Sequence, residues 1–157
     1  MRFLLQRVRE AQVTVDEAVV GAIGHGLLVL VGIGPADTLE IGQRLVVKTL
    51  DLRIFEDDDG KMNRSLRDVI ANDQDQAGLL MVSQFTLYAD VRKGRRPSFT
   101  DAAPPELASK LFDQLVAYVR DQGIPCATGT FGAHMAVSLV NDGPVTIWLD
   151  SETMGIA

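Results

Sequence analysis

Phe3-Leu4-Leu5-Gln6-Arg7-Val8 alternates as a strand does, and the alternation returns over Val13 to Val19 before the apolar run Leu27-Leu28-Val29-Leu30-Val31. No stretch of helical period separates these three segments. A doubly wound parallel sheet needs a crossover helix between successive strands, so this opening predicts strands that meet antiparallel. Gly32-Ile33-Gly34-Pro35, which follows, lacks the third glycine of a dinucleotide-binding turn and carries proline where the helix would begin.

Further along, Asp37-Thr38-Leu39-Glu40 has the spacing of a capping box, and Leu39, Gly42, Leu45, Val46 and Leu50 can share one face of a helix ending near Leu52. Arg53-Ile54-Phe55 reads as a short strand, and Glu56-Asp57-Asp58-Asp59-Gly60 as the hairpin turn closing it. Leu79 to Tyr88 reads as one strand, with polar residues interleaved towards its end. Pro104 to Gln122 is the clearest helix: Leu107, Leu111, Leu115 and Val119 recur on one face, with Gly123 and Pro125 as stop signals. Met135–Val140 and Val145–Leu149 read as two further strands. The expectation is an α+β fold: a single compact domain over residues 1–157, with a barrel-like, mainly antiparallel sheet and two main helices.

A chain of 157 residues can bury one core without staples, and its net charge of −6 argues against nucleic-acid binding driven by overall charge. A local basic patch remains open, and Arg92-Lys93-Gly94-Arg95-Arg96 is the densest one: a solvated loop, or a phosphate contact. Met1 to Leu5 runs into Gln6-Arg7-Val8-Arg9-Glu10, with neither a signal-peptide core nor a membrane span, so a cytoplasmic, soluble protein is expected. Cys126 is the only cysteine, which excludes an internal disulfide and a multi-cysteine zinc site within one chain.

The hydrolase machinery that sequence patterns can reveal is missing. There is no HExxH and no nucleophile elbow, and the two histidines are His25, in a glycine turn, and His134, beside Phe131-Gly132-Ala133. Catalysis, if present, has to rest on main-chain donors, hydroxyls, an amide or the substrate itself. Ser83-Gln84-Phe85-Thr86 offers such groups: on a regular strand Gln84 and Thr86 share one side, Ser83 and Phe85 the other. Asn141-Asp142-Gly143-Pro144-Val145-Thr146 puts a Gly-Pro pair between apolar runs, where a strand avoids both residues. It is either a surface turn or exposed main chain held for recognition.

Taken together, Met1-Arg2 with Gln6-Arg7-Val8, Gly60-Lys61-Met62-Asn63, Ser83-Gln84-Phe85-Thr86-Leu87-Tyr88, Arg96-Pro97-Ser98-Phe99, Phe131-Gly132-Ala133 with Met135, and Asn141 to Thr146 resemble the D-aminoacyl-tRNA deacylase family over nearly the whole chain. Asn72 to Gln76, a slightly extended polar turn, and His134 depart from it without touching its site residues.

The resemblance implies a homodimer that hydrolyses the ester of a D-amino acid, or glycine, on the acceptor end of tRNA, with no cofactor, metal or membrane. It implies that Gly143 and Pro144, the proline cis, enter the partner's site and exclude L side chains by a clash. By the same resemblance Ser83, Phe85 and Met135 line the site with Gln84 and Thr86, the catalytic candidates. Gln84 would order substrate or water, Phe85 would shape an adenosine pocket, and the main chain at Phe85-Thr86 would hold the oxyanion, with help from the ribose 2'-hydroxyl. Arg92, Lys93, Arg95 and Arg96 are then the candidates for acceptor-stem phosphates. A noncatalytic tRNA-binding protein and a different acyl-ester hydrolase are the alternatives.

Overall fold

In the computed structural model, which describes residues 1–72 and 77–156, the first predicted strand continues to Val15 as β1 (Arg2–Val15), and the second, read over Val13 to Val19, is broken by a turn at Asp16-Glu17, so that its start belongs to β1 and its end to the next strand. Phe3 and Leu5 face one side of the sheet, whereas Val8 and Val13 belong to the core on the other. Irregular register on either side of Val8 flips the buried face, so the alternation that starts at Phe3 breaks after Val8 although the strand continues. Next come β2 (Ala18–Ile23), β3 (Gly26–Gly32) and α1 (Leu39–Asp51). A small hairpin, β4 (Phe55–Glu56) and β5 (Met62–Arg64), precedes α2 (Leu66–Asn72) and β6 (Gly78–Ser83). The chain ends with α3 (Pro105–Asp121), β7 (Cys126–Thr128) and β8 (Ala136–Asp150).

The main sheet runs β2-β1-β3-β6-β7, with β8 on the free side of β1. Pairs of β1 with β2, β3 and β8 are antiparallel; β3 with β6 and β6 with β7 are parallel. The sheet curls until Gly21 of β2 lies against the main chain of Thr128 in β7, leaving no room for a Cβ there. It is thus nearly closed and mixed, mostly antiparallel.

The expectation of two main helices is corrected to three among the described residues: α2 is the addition. Its seven residues bury only Leu66 and Val69, too few for a helical period to stand out. Its start was legible all the same. Ser65 and Asp68 cap reciprocally: Ser65 N–H and Oγ donate to Asp68 Oδ2 at 2.8 and 2.9 Å, and Asp68 N–H donates to Ser65 Oγ at 3.2 Å. Those bonds hold the Asp68 carboxyl below its ordinary range.

Helix α1 forms as predicted, except that Thr38 is the cap, its Oγ1 accepting from Ile41 N–H at 3.3 Å. It packs on α3 through Gly42, where a Cβ would meet Leu115 Cδ2 at 2.6 Å. Leu115, Leu45, Phe3 and Val31 fill the core between helices and sheet; Val8, Val13, Leu28 and Leu80 fill the inside of the curl. The polar turn expected over Asn72 to Gln76 lies, after Asn72, outside the described residues.

Candidate active site and the Gly-Pro bulge

The predicted strand Leu79–Tyr88 is cut short, and the cut makes the site. After Ser83, paired with Val31, Gln84 N–H still bonds Val31 O at 2.8 Å. The chain then coils into a 3₁₀ turn, Phe85–Tyr88. Within it Leu87 N–H reaches Gln84 O at 3.3 Å and Ala89 N–H reaches Thr86 O at 3.0 Å. Phe85 and Thr86 N–H, the first of the turn, find no acceptor among the described residues, as the leading donors of any helical turn do not. Gln84 and Thr86 do meet, though through this turn rather than along a strand: Gln84 Nε2 donates to Thr86 Oγ1 at 2.5 Å.

Beside the turn opens a cleft of ≈ 660 Å³, walled by the end of β6, the segment Phe99–Ala108 and the segment Phe131–Met135. Ser83, Gln84, Phe85 and Met135 line it together; Thr86 reaches it only through Gln84. Phe85 and Phe99 form an edge-to-face pair, centroids 5.1 Å apart, at its mouth. Among the described residues, His134 is the one ionisable side chain in its lining. Such a cleft suits a flat aromatic group with a neutral carbonyl at the turn. It offers no paired acid and base.

The Gly-Pro pair lies elsewhere. Between the register pairs Val8↔Asn141 and Gln6↔Thr146, β1 contributes only Arg7 while β8 contributes residues 142 to 145, so these bulge outward. Strands either side of the bulge were therefore read as two. The Gly143-Pro144 peptide is cis, Gly143 has φ +147°, and both residues are exposed. Arg7 props the bulge from beneath: 5 % exposed, it donates through Nε to Asp142 O at 2.8 Å and through a terminal nitrogen to Ile54 O at 2.5 Å. Asn141 clamps it from the side, Oδ1 accepting from Val145 N–H at 2.8 Å and Nδ2 donating to Val145 O at 3.1 Å. Four residues of strand rise and three strand spacings separate the bulge from Ser83 by about 20 Å along the sheet. One chain alone does not bring Gly143 and Pro144 to its own cleft.

The basic run is a loop closed at its base by paired Asp90 and Ser98 main chains, at 2.8 and 2.9 Å. Arg92 is engaged there already: its Nε and a terminal nitrogen donate to Asp90 at 2.8 Å each, holding the Asp90 carboxyl down at about 2. Lys93, Arg95 and Arg96 are exposed. Cys126 is half-buried and burial pushes its thiol up to about 11, away from nucleophilic use. Among the described residues no three His, Cys, Asp or Glu side chains cluster as metal ligands would, and no helix is long and apolar enough to cross a membrane.

Arg7 entered the reading of the sequence only as part of a motif. An arginine in the inward phase set by Phe3 and Leu5 was the sign that something polar had to be held there.

A curled α+β sheet that ends in a 3₁₀ turn beside a cleft with one ionisable side chain among the described residues, and that carries an exposed cis Gly-Pro bulge on another edge, defines a domain with a ligand-sized cleft. The family model for D-Tyr-tRNA(Tyr) deacylase matches residues 4–150, and the chain belongs to that family. A D-aminoacyl-tRNA deacylase of Thermomicrobium roseum is 59% identical over 151 residues, covering 96% of this chain and 94% of that protein. A solved structure described as c-Myc DNA Unwinding Element Binding Protein superposes with TM-score 0.87 at 40% identity, over 96% of this chain and 99% of that one. A probable eukaryotic D-amino acid tRNA deacylase shares the fold, with TM-score 0.77 at 21% identity, over 94% of this chain and 97% of its own.

Proposed function

We propose that the chain removes D-amino acids from tRNA through a site built by two copies, the cleft of one and the Gly143-Pro144 bulge of the other. The reaction is hydrolysis of the ester between the amino acid and the terminal ribose: water adds to the carbonyl carbon, the ester C–O bond breaks, and free amino acid and tRNA leave. Chirality is proofread as the D ester is accepted and the L ester refused.

The observation that carries the composite site is the bulge itself: exposed, rigidly braced, and about 20 Å along the sheet from its own cleft. Rigid main chain is costly to brace with a buried arginine unless it meets something. Val140 and Trp148 on the same strand are 45 % and 47 % exposed, which supports a second copy seated on this face. In that pairing a carbonyl of the bulge accepts a bond from the substrate amino group. The D side chain is left in open space, and an L side chain meets backbone. Glycine, with no side chain, passes the same filter.

In the cleft, Phe85 with Phe99 stacks on the terminal adenine, while the N–H groups of Phe85 and Thr86 receive the developing oxyanion. Gln84, fixed by Thr86, orders substrate or water, and Ser83 and Met135 complete the walls. The ribose 2'-hydroxyl serves as the acid-base group that this cleft lacks. Lys93, Arg95 and Arg96, with Arg92 once released from Asp90, contact acceptor-stem phosphates. The setting is the cytoplasm, where charged tRNA is found.

Mixed dimers test the composite site. A Gly143→Ala chain keeps its cleft, and an Ala133→Trp chain, with the cleft filled, keeps its bulge. Gly143→Ala alone keeps about 1–10% of wild-type turnover and Ala133→Trp none, and co-refolding restores about a quarter of wild-type sites if the bulge works in trans. No recovery in verified heterodimers overturns the arrangement.

A further inference from the structure

The 3₁₀ turn is gripped at its far end by a side chain from the start of β1. Arg2 lays its guanidinium 4.3 Å from the Tyr88 ring centroid and donates through a terminal nitrogen to Leu87 O at 3.0 Å. Its Nε donates to Asp150 Oδ2 at 3.0 Å, and the Trp148 ring lies 5.9 Å away. One side chain therefore ties the turn to the last residues of β8.

The turn gains from such a tie. Of its bonds to the flanking residues the longer is 3.3 Å, and short 3₁₀ turns have poor hydrogen-bond geometry. Its floor is the Gly32-Ile33-Gly34-Pro35 stretch that failed as a nucleotide motif. A Cβ on Gly32 would stand 3.0 Å from Leu87 Cβ, and one on Gly34 would stand 2.9 Å from Tyr88 Oη. These glycines let the turn lie flat on the strand end. Asp37 then fixes Tyr88, Oδ2 accepting from Tyr88 Oη at 3.3 Å and from Gly34 N–H at 2.6 Å. Floor and Asp37 hold the ring; the Arg2 side chain holds a carbonyl at the end of the turn.

We propose that Arg2 is a positioning residue for the deacylation: by anchoring Leu87 O it sets the direction in which the N–H groups of Phe85 and Thr86 point into the cleft. This rests on the reading that those two groups hold the oxyanion. Removing one such donor outright costs about 10²–10³ in kcat, so tilting a pair by freeing their turn costs about 10–100-fold. The substrate's adenine and amino group are bound by other residues, so KM stays put.

The test is steady-state hydrolysis of D-aminoacyl-tRNA by wild type, Arg2→Met and Arg2→Lys, with thermal melting of each. Arg2→Met keeps the stem and loses both bonds; kcat falls about 10–100-fold with KM within about threefold. Lysine keeps a cation over Tyr88 and reaches one acceptor only, so Arg2→Lys falls between the two. A folded Arg2→Met with wild-type kcat, or a loss confined to KM, overturns the proposal. Should Arg2→Met not fold, Arg2→Lys decides alone: wild-type kcat overturns it and a lowered kcat at constant KM supports it. An inactive wild-type protein fails the oxyanion reading first and takes this proposal with it, whereas an active one with an indifferent Arg2 fails this proposal only.

Discussion

Gly143→Ala is the substitution whose consequences the structure fixes most tightly. The added Cβ would stand 2.8 Å from Val145 Cγ2, 2.9 Å from Val145 N and 3.2 Å from a terminal nitrogen of Arg7. None of these can easily retreat. Val145 is held at both its N–H and its C=O by Asn141, and Arg7 is held by Asp142 O and Ile54 O. The φ of +147° adds conformational strain of about 1–3 kcal/mol for a residue with a side chain. At roughly 2–4 °C per kcal/mol for a chain of this size, the melting temperature falls by about 2–12 °C. The bulge relieves the contacts by moving outward, and its carbonyl leaves the substrate amino group. A hydrogen bond to a charged group contributes about 1.5–3 kcal/mol, so kcat/KM for the D ester falls about 10–100-fold. The clash against L esters loosens at the same time, so the D-to-L ratio falls further than D turnover alone. The assay is amino-acid release from matched D- and L-aminoacyl-tRNA, read beside a thermal melt. Gly60→Ala is the control: its φ is +74° with nothing within 4 Å of a Cβ, so it costs stability and leaves selectivity alone. A folded Gly143→Ala with wild-type turnover and selectivity refutes the reasoning.

His134→Ala should retain kcat within about threefold, because the cleft's one ionisable side chain is not the base; a loss of 10²-fold or more, the size general-base removal produces, would restore side-chain acid-base chemistry. A tRNA ending in 2'-deoxyadenosine with the same 3' ester should bind and turn over poorly in single-turnover assays, and normal turnover rejects ribose assistance. Thr86→Ala breaks the 2.5 Å bond from Gln84 and should match Gln84→Ala in kcat, with the double variant no worse; additive losses would show two separate roles. In the basic loop, Arg95→Gln should weaken tRNA affinity and flatten its salt dependence by more than Arg92→Gln, since Arg92 must first leave Asp90. An equal effect from both would mean that the Asp90 pair does not restrain Arg92.

What the sequence made legible was local. Helices α1 and α3 follow from their apolar periods and stop signals, and the acidic hairpin turn forms as read: Asp57 takes the N–H groups of Asp59 and Lys61 at 2.9 and 3.0 Å. What it hid was long-range register. The bulges opposite Arg7 and beside Val8 break the alternation that marks a strand, so β8 reads as a pair and β1 as a strand that stops at Val8, with its last residues joined in the reading to β2. The 3₁₀ turn was masked because Phe85, Thr86 and Tyr88 favour strands; the close seat on Gly32 and Gly34 overrides that preference. Of the candidate site, the motif resemblance named candidates, and the structure divides them between two places. Gln84 and Phe85 sit in the cleft, Gly143 and Pro144 on a distant bulge, and Thr86 behind Gln84. Arg2 entered only as part of a motif, because its partners, Leu87 and Asp150, lie 85 and 148 residues away.

The central claim is selection by handedness at a composite main-chain site. Its most direct test is the release of amino acid from D- and L-aminoacyl-tRNA prepared on the same tRNA with the same side chain, using metal-free wild-type protein. The account predicts rapid release from the D ester and release from the L ester no faster than the spontaneous rate. Equal hydrolysis of both contradicts the chiral filter, and hydrolysis of neither contradicts the assignment of the cleft to this chemistry.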